Sequence, residues 1–361
     1  MPTVVIAPDS FKGSLSAREV AQALADGWKS ERPHDTIVLI PQADGGEGTL
    51  DAIEAAVPDA RRRSAGEVTG PDGRGVPGYW LELDGGVGVV ELAVSSGLPL
   101  MGMLDPLRAT TRGVGEVIAA ALDAGARRII IGLGGSASTD GGAGALAALG
   151  LTMVDEQGDL VPDGGRALLD IVGVDPTNLR PAPADGVVLL SDVTAPLLGS
   201  HGAAAVFGPQ KGATPEDIVE LDAALAHFSR LLGGDPTAPG SGAAGGAGYG
   251  FAAGWGATIT AGSEFLAELS GLPAAIASAD VLLTGEGRFD SQSLGGKVVG
   301  QLLELAHRHG LGIGVIAGQV TVDTDVWTAS LTELAGSVDA AIADTRTWLV
   351  AAGARAAAEL V

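Results

Sequence analysis

GLGGSASTDGGAG, residues 132 to 144, is the stretch that decides the fold of this chain. It follows the apolar run 129–131, which predicts a buried strand. Six of its thirteen residues are glycine, and a helix is expected to begin only near Ala143. A strand that breaks into glycine before a helix is a common way to hold a phosphate, because backbone N–H groups then point at the anion. The stretch therefore indicates an α/β fold with a phosphate site.

The composition of the chain excludes several classes of protein. Its 361 residues carry a formal net charge of −23, whereas nucleic-acid binding needs a basic surface. The chain has no cysteine, which rules out disulfides and thiolate chemistry, and its five histidines show no metal-ligand spacing. The N-terminus lacks the basic region of a signal peptide, and no stretch approaches the ~20 apolar residues of a membrane span. We therefore expect a cytoplasmic protein with no nucleic-acid or membrane partner.

Strands and helices alternate at both ends of the chain. Residues 3–7 predict a strand, and Ser16 and Glu19 predict a capping box for the helix that follows. A second strand is predicted at 36–40 and a second helix at 50–57. Such alternation is typical of a parallel sheet with helices on its faces. The same patterns predict strands at 187–191, 280–284, 311–317 and 338–342, and helices at 215–233, 297–309 and 345–360.

The middle of the chain has a different character. Short extended runs in residues 68–104 are separated by Asp-Gly and Pro-Gly turns, which predicts hairpins. Residues 239–262 have the glycine-rich composition of a linker, but they include Tyr249, Phe251 and Trp255. Linkers seldom contain so many aromatic residues, and we therefore expect a packed segment there.

Acidic residues occur in five loops, each after a predicted strand. In open α/β sheets, ligands bind at the carboxyl ends of the strands, so acidic loops at several strand ends are expected to converge on one crevice. A single Asp-Gly loop would be ordinary turn chemistry, but five of them favour a binding site. The loops are 8–13 (PDSFKG), 43–49 (ADGGEGT), 132–144 with Asp140, 191–194 (SDVT) and 284–290 (TGEGRFD).

Three of the four lysines lie beside glycine: Lys12, Lys211 and Lys297. An ammonium group in such a loop suits an anionic ligand. The chain contains neither a Walker A motif nor the protein-kinase signature set. Phosphoryl transfer mainly needs cations, carboxylates that hold Mg²⁺, and backbone donors. The residues of this chain match that inventory better than the needs of hydride transfer.

The opening stretch also fits a second class of enzyme. Gly132, Gly134 and Ala137 satisfy the dinucleotide fingerprint, and Asp155 lies 23 residues after Gly132. This pattern would indicate an NAD-dependent oxidoreductase of a small hydroxy acid. The second glycine cluster, at 141–142, delays the helix, so a pyrophosphate would not sit directly on its N-terminus. A non-catalytic anion-binding module is a third interpretation.

Taken together, the motifs resemble those of the type 1 glycerate kinase family. They follow one another in family order across nearly the whole chain. The motifs are VIAPDSFKGSLSA (5–17), PQADGGEGT (41–49), VTGPDG (68–73), ELAVSSGLPL (91–100), GLGGSASTDGGAGALAALG (132–150), SDVTAPLLG and HGAAAVFGPQKGATPE (within 191–216), and TGEGRFDSQSLGGK (284–297). The chain departs from the family pattern at Ser191, where Cys is frequent, and at Ala195, where Asn is frequent. The departure at Ala195 puts one polar contact in doubt.

The resemblance implies a glycerate kinase that uses ATP and Mg²⁺ to phosphorylate D-glycerate, in bacterial members usually to 2-phosphoglycerate and less often to 3-phosphoglycerate. It implies two α/β domains with the active site in the cleft between them. One would be a flavodoxin-like or Rossmann-like parallel-sheet domain built from both chain ends, residues 1–65 plus 280–361. The other would be an inserted mixed α/β domain, residues 66–279, that carries the glycine-rich loops.

Candidate roles follow from the motifs and the resemblance. Lys12 would neutralise the glycerate carboxylate or the transferring phosphoryl group. Asp44 and Asp192 would serve as general base and Mg²⁺ ligand, in an order that the sequence leaves open. Further candidates for binding the substrate are Asp9, Ser10, Ser14, Arg288 and Asp290. Candidates for binding ATP are Gly134, Gly135, Ser136, Asp140, Lys211 and Lys297. Glu286 is a second candidate for the metal, in addition to Asp192. The sequence also leaves open whether 132–144 binds ATP or glycerate, and whether the protein is a homodimer or a monomer.

Overall fold

The structure is a computed structural model that describes residues 1–291, 293–294 and 298–361. Its strands are β1 (Thr3–Ile6), β2 (Thr36–Leu39), β3 (Arg61–Thr69), β4 (Gly75–Leu83), β5 (Val87–Glu91), β6 (Arg128–Gly132), β7 (Thr152–Val154), β8 (Gly173–Asp175), β9 (Val187–Leu190), β10 (Thr258–Thr260), β11 (Val281–Phe289), β12 (Gly312–Val320) and β13 (Trp327–Ser330). Its α-helices are α1 (Ala17–Glu31), α2 (Thr49–Ala56), α3 (Leu92–Ser96), α4 (Arg112–Asp123), α5 (Ala143–Ala148), α6 (Ala203–Phe207), α7 (Pro215–Leu232), α8 (Ala243–Trp255), α9 (Gly262–Leu269), α10 (Leu272–Ala277), α11 (Val298–His309), α12 (Leu331–Ala335), α13 (Val338–Ala343) and α14 (Thr345–Glu359). Short 3-10 helices lie at Leu98–Leu100, Arg166–Asp170 and Pro209–Lys211.

The chain divides into two compact units. Unit 1 comprises Met1–Asp44, Asp51–Pro58 and Ser263–Val361, and unit 2 comprises Gly45–Leu50 and Asp59–Gly262. These bounds differ from the predicted domain limits, since residues 59–65 group with unit 2 and residues 263–279 with unit 1. The division of the chain into two folding domains stays a prediction.

Unit 1 is built on a parallel sheet with the strand order β13-β12-β11-β1-β2. Within unit 1 the strands in chain order are β1, β2, β11, β12 and β13. If they are numbered 1 to 5 and read from the β2 edge, their order in the sheet is 2-1-3-4-5, which is the order of flavodoxin-like folds. The residues of these strands are mostly apolar, as expected for a sheet that is covered by helices on both faces. One face packs with α1 and α14, and the other packs with α10 and α11.

Helices α1 and α14 approach closely because both carry glycine at the contact. A Cβ atom on Gly27 would lie 2.0 Å from the Val350 carbonyl oxygen, and one on Gly353 would lie 2.4 Å from the Leu24 carbonyl oxygen. The predicted capping box of α1 is confirmed, with the Ser16 side chain accepting from Glu19 N and the Glu19 carboxylate accepting from Ser16 N.

Unit 2 contains a mixed sheet with the strand order β10-β9-β6-β5-β4-β3. Strands β10, β9, β6 and β5 pair in parallel, and β4 and β3 complete the sheet as antiparallel strands. The hairpins predicted for residues 68–104 are found in β3–β5, after which the chain turns into α3. The packed segment predicted at 239–262 is confirmed, because Tyr249, Phe251 and Trp255 are buried in α8.

One predicted strand is wrong. Residues 338–342 lie in helix α13, not in a strand. The Ser337 side chain accepts a hydrogen bond from Ala340 N at 3.1 Å and caps this helix. Within the part of the chain that the structure describes, no helix is both long and apolar enough to cross a membrane.

Candidate active site

Three carboxylates gather at the carboxyl end of the unit 1 sheet. Asp9 follows β1, Asp44 follows β2, and Glu286 lies in β11 beyond the last residue pair of β1 and β11, Ile6 with Leu283. Asp9 N donates to Gly285 O at 2.8 Å, which fixes the turn after β1 against β11. In the 2-1-3-4-5 order, the connection after β1 leads to one side of the sheet and the connection after β11 leads to the other. The point between these two strands is called a switch point, and ligands bind there in such folds. The carboxylates therefore lie where this fold places a ligand.

The pKa of Asp9 is raised to about 7, chiefly because Asp9 is withdrawn from water. The negative charges of Asp44 and, to a smaller extent, Glu286 raise it further. The hydrogen bond from Ser10 N at 2.6 Å and the positive charge of Lys12 act in the opposite direction. Asp9 is therefore poised to exchange a proton near neutral pH.

Lys12 supplies positive charge beside this cluster. Its Nζ lies 3.9 Å from Asp44 Oδ2, and 62% of its side chain is exposed, so an incoming anion can reach the ammonium group. Lys12 also lines a cavity of about 210 Å³ whose wall includes Ser14, Leu331 and Ile342. A cavity with one cation and mixed polar and apolar walls suits a small organic anion.

The other unit 1 candidates differ in their surroundings. Ser10 Oγ is buried and finds no hydrogen-bond partner among the described residues. The Ser14 hydroxyl lies 2.6 Å from Thr345 Oγ1, which donates to Ala341 O, so Ser14 donates its proton to Thr345. Arg288 Nε lies 3.4 Å from Asp290 Oδ2, and 63% of the Arg288 side chain is exposed. Ser10 thus remains open to a ligand, whereas the Ser14 hydroxyl is engaged within the unit.

The glycine-rich loop of unit 2 leaves the carboxyl end of β6. Gly134 N donates to Gly45 O at 3.1 Å, and a Cβ atom on Gly134 would lie 2.3 Å from Gly46 Cα. On its other side, Leu98 N donates to Gly135 O at 2.9 Å. The N–H group of Gly134 thus serves the packing of two glycine-rich segments, and this contact does not support its predicted role as a phosphate donor. The backbone of Gly135 adopts a φ of +77°, which favours glycine.

Asp140 lies at the centre of a buried hydrogen-bond network. Its Oδ2 accepts from Thr111 N at 2.9 Å, Thr111 Oγ1 at 2.7 Å and Gly144 N at 3.2 Å, and its Oδ1 accepts from Gly142 N at 3.1 Å. Burial raises the pKa of Asp140, and these hydrogen bonds oppose the rise. The network ties the end of the glycine-rich loop to the start of α4. The fully buried Asp140 is better placed to hold the loop than to contact ATP.

Lys211 is also enclosed, with only 1% of its surface exposed. Its Nζ donates to Ser136 Oγ at 2.9 Å and to the Ser138 carbonyl oxygen. Burial lowers the pKa of Lys211 to about 7, and the charge of Asp140 opposes the shift. Both groups to which the ammonium donates belong to the glycine-rich loop.

Two predicted site residues remain, Asp192 and Lys297. Asp192 follows β9 at the carboxyl end of the unit 2 sheet, next to Ser191, whose Oγ accepts from Val193 N at 3.2 Å. Asp192 is half-buried. Asp44 and Asp192, the two predicted catalytic aspartates, thus belong to different units. Lys297, a predicted ATP ligand, lies outside the described residues.

Sequence reasoning missed Glu91, the last residue of β5. Its carboxylate is 5% exposed and accepts from Gly48 N at 3.1 Å and Leu50 N at 3.0 Å, which fixes the DGGEGT segment at the start of α2. The signal was present, because Glu91 is a further acidic residue that follows an apolar run within the extended region predicted at 68–104. It was overlooked because no glycine-rich loop follows it.

In unit 1, carboxylates and a reachable ammonium group lie at the carboxyl ends of parallel strands, and in unit 2 a glycine-rich loop follows the parallel strand β6. Such groups at strand ends are characteristic of α/β enzymes that act on small anions. The sequence model described as "Glycerate kinase family" matches residues 4–361. The chain belongs to the glycerate kinase family and is a kinase, a transferase. Family membership favours a kinase over an NAD-dependent oxidoreductase as the class of this protein.

Individual relatives agree with the family match. The chain is 43% identical to a protein named glycerate 2-kinase from Escherichia coli, over 90% of this chain and 87% of that protein. It is 40% identical to a protein named glycerate kinase from Bacillus subtilis, over 89% and 86% of the two chains. A crystal structure of a Salmonella typhimurium LT2 protein described as glycerate kinase 2 superposes with a TM-score of 0.80 at 39% identity, covering 99% of this chain and 98% of that one. The expected α/β fold class is thereby confirmed.

Proposed function

We propose that the protein transfers the γ-phosphoryl group of ATP to the C2 hydroxyl of D-glycerate, giving 2-phosphoglycerate and ADP. The observation that carries the proposal is the meeting of the Lys12 ammonium group with the carboxylates of Asp9 and Asp44 at the switch point of the unit 1 sheet. In a member of the glycerate kinase family, the acceptor must have its negative charge neutralised and a hydroxyl proton removed. An ammonium group can do the first and a carboxylate the second.

Lys12 would bind the carboxylate of glycerate. Its ammonium group is largely exposed and lines the cavity of about 210 Å³, so the acceptor can reach it without displacing the core. The chain has a net charge of −23 and only four lysines. A cation beside three carboxylates therefore strongly affects whether an anionic substrate is accepted.

Asp9 is a better candidate for the general base than the sequence suggested. A catalytic base works best with a pKa near the working pH, and the pKa of Asp9 is raised to about 7. The base would take the proton of the glycerate hydroxyl as the oxygen attacks the γ-phosphorus. Asp44 and Asp192, which the sequence favoured, stay proposed as base or Mg²⁺ ligand.

The donor set of the unit 1 cluster fits Mg²⁺ held in a complex with ATP. No group of three or more acidic or histidine side chains among the described residues forms a closed metal cage. Mg²⁺ commonly binds through one or two carboxylates together with substrate phosphates, and Asp44 and Glu286 of unit 1 would supply them. Asp192 stays a candidate metal ligand by its sequence motif. The negative charges of Asp44 and Glu286 repel that of Asp9 and raise its pKa. A bound divalent cation would offset this repulsion. When bound, Mg²⁺ neutralises phosphate charge.

The direct test is a coupled assay of ADP release with D-glycerate and Mg-ATP. We expect turnover with D-glycerate, and we expect Lys12→Ala to raise the KM for glycerate at least about tenfold while the KM for ATP changes little. Lys29→Ala is the matched control, because Lys29 is an exposed lysine on α1. Absence of ADP release by the wild-type protein, or oxidation of NADH with a keto acid in its place, would reject the proposal.

A further inference from the structure

The contact between Lys211 and Ser136 has a direction. In its ammonium form, which it keeps below its pKa of about 7, Lys211 has three protons and no lone pair on Nζ, so Nζ then donates to Ser136 Oγ. A serine hydroxyl has two lone pairs and one proton. The bond from Lys211 occupies one lone pair and leaves the proton of Ser136 available to another acceptor.

Among the described residues, Ser136 Oγ makes one hydrogen bond, which it accepts from Lys211. Ser136 is 7% exposed and stands in the loop between β6 and α5. Its backbone is held on both sides, because Ala137 N donates to Ser96 O at 3.0 Å and Leu98 N donates to Gly135 O at 2.9 Å. The Ser136 hydroxyl is therefore held in place by Lys211, and its proton has no acceptor in the part of the chain that the structure describes.

Lys211 itself is poorly placed to reach a ligand. It ends the 3-10 helix Pro209–Lys211, is 1% exposed, and donates also to the Ser138 carbonyl oxygen. That carbonyl is packed against Gly245, on which a Cβ atom would lie 2.0 Å away. A buried ammonium is costly unless it is fully hydrogen-bonded, so releasing these bonds to meet a phosphate would be unfavourable.

We propose that Lys211 is a positioning residue, which turns the hydroxyl proton of Ser136 toward a phosphate oxygen of the bound nucleotide and does not contact the phosphate itself. This inference rests on the proposed kinase function and specifies how the glycine-rich loop meets the nucleotide. A hydroxyl that already accepts a bond from a cation is a stronger donor, since hydrogen bonds in a chain polarise one another. The glycine-rich loop would thus offer the Ser136 hydroxyl as a charge-assisted donor, while the Lys211 ammonium group stays buried.

A double-mutant cycle on nucleotide binding tests the proposal. We expect Ser136→Ala and Lys211→Met each to weaken binding of Mg-ATP, measured by calorimetry without glycerate, by about tenfold. The double variant should bind no more weakly than Ser136→Ala, because Lys211 acts only through Ser136. Ser229→Ala, which removes a serine hydroxyl from α7, is the control and should bind ATP as the wild type does.

The conservative variant Lys211→Gln extends the test. It replaces the ammonium group by a neutral amide donor on a shorter side chain, and we expect it to recover part of the ATP affinity lost in Lys211→Met. Multiplicative losses in the double variant would show that Lys211 acts on the phosphate independently of Ser136 and would overturn the proposal. If Lys211→Met fails to fold, Lys211→Gln takes its place in the cycle, and the double variant with Ser136→Ala should again bind Mg-ATP no more weakly than Ser136→Ala alone.

The two proposals fail in distinguishable ways. A wild-type protein that binds Mg-ATP but does not phosphorylate D-glycerate contradicts the proposed function and leaves the binding cycle measurable. A wild-type protein that phosphorylates D-glycerate, with Ser136→Ala binding ATP at full affinity, contradicts the inference alone. Equal losses for ATP and for glycerate in the Lys211 variants would indicate a merely structural role and would also overturn it.

Discussion

Replacing Asp9 by asparagine should stabilise the protein above neutral pH and remove its activity. Asp9 has a pKa of about 7 in the folded state against 3.8 for an ordinary aspartate. Between these two values the folded protein binds a proton that the unfolded chain does not, so stability from this group is complete below about pH 4 and is lost as the pH rises toward 7. The difference corresponds to at most about 4 kcal/mol, and water at the partly exposed carboxylate reduces it toward about 2 kcal/mol.

Urea unfolding followed by circular dichroism at pH 5 and at pH 8 measures this difference. Asp9→Asn cannot ionise, so its free energy of unfolding should rise relative to the wild type by about 2–4 kcal/mol at pH 8 and by less at pH 5. Asp325→Asn, a change at an exposed aspartate of unit 1, is the control and should follow the wild type at both pH values. The kcat of Asp9→Asn should fall by about 10² or more. An Asp9→Asn variant with the pH dependence of Asp325→Asn would refute the reasoning.

Three further changes test the framework around the site. Glu91→Ala leaves Gly48 N and Leu50 N without their acceptor and should cost about 2–4 kcal/mol in urea unfolding, whereas unchanged stability would contradict the capping role. Asp140→Asn places amide hydrogens against N–H and O–H donors and should cost about 2–4 kcal/mol, with a loss of ATP affinity because the loop shifts. Gly27→Ala puts a methyl group 2.0 Å from the Val350 carbonyl oxygen and should lower the melting temperature, while Gly287→Ala, with open space around its Cβ, should not.

Much of the fold could be predicted from local patterns. The runs at 187–191, 280–284 and 311–317 predicted strands because apolar residues there fill a sheet buried on both faces, and the structure confirms these strands. The run at 338–342 has similar residues but follows Ser337, whose side chain caps a helix. The apolar pattern is too short to choose between strand and helix, and the cap decides it.

The candidate site could be predicted only in part, because its geometry depends on contacts between distant segments. The acidic loops after β1 and β2 do meet at the carboxyl end of the unit 1 sheet, as the rule for strand ends predicts. The predicted acidic loop at 284–290 is wrong in its structure, because Glu286 lies within β11, in the part of that strand that extends beyond β1. Sequence reasoning assigned Asp140 and Lys211 to ATP together with Ser136, whereas in the structure both are fully buried and hydrogen-bonded to residues of the glycine-rich loop. Burial is decided by packing across the unit, and nothing in a glycine-flanked lysine reveals it.

The identity of the product tests the central claim most directly. Phosphorus NMR of a reaction containing D-glycerate, Mg-ATP and the wild-type protein should show one new phosphomonoester, 2-phosphoglycerate, formed in equal amount to ADP. Formation of 3-phosphoglycerate would contradict the proposed site of transfer. Absence of any phosphorylated glycerate, with the protein folded and ATP bound, would contradict the account of the active site as a whole.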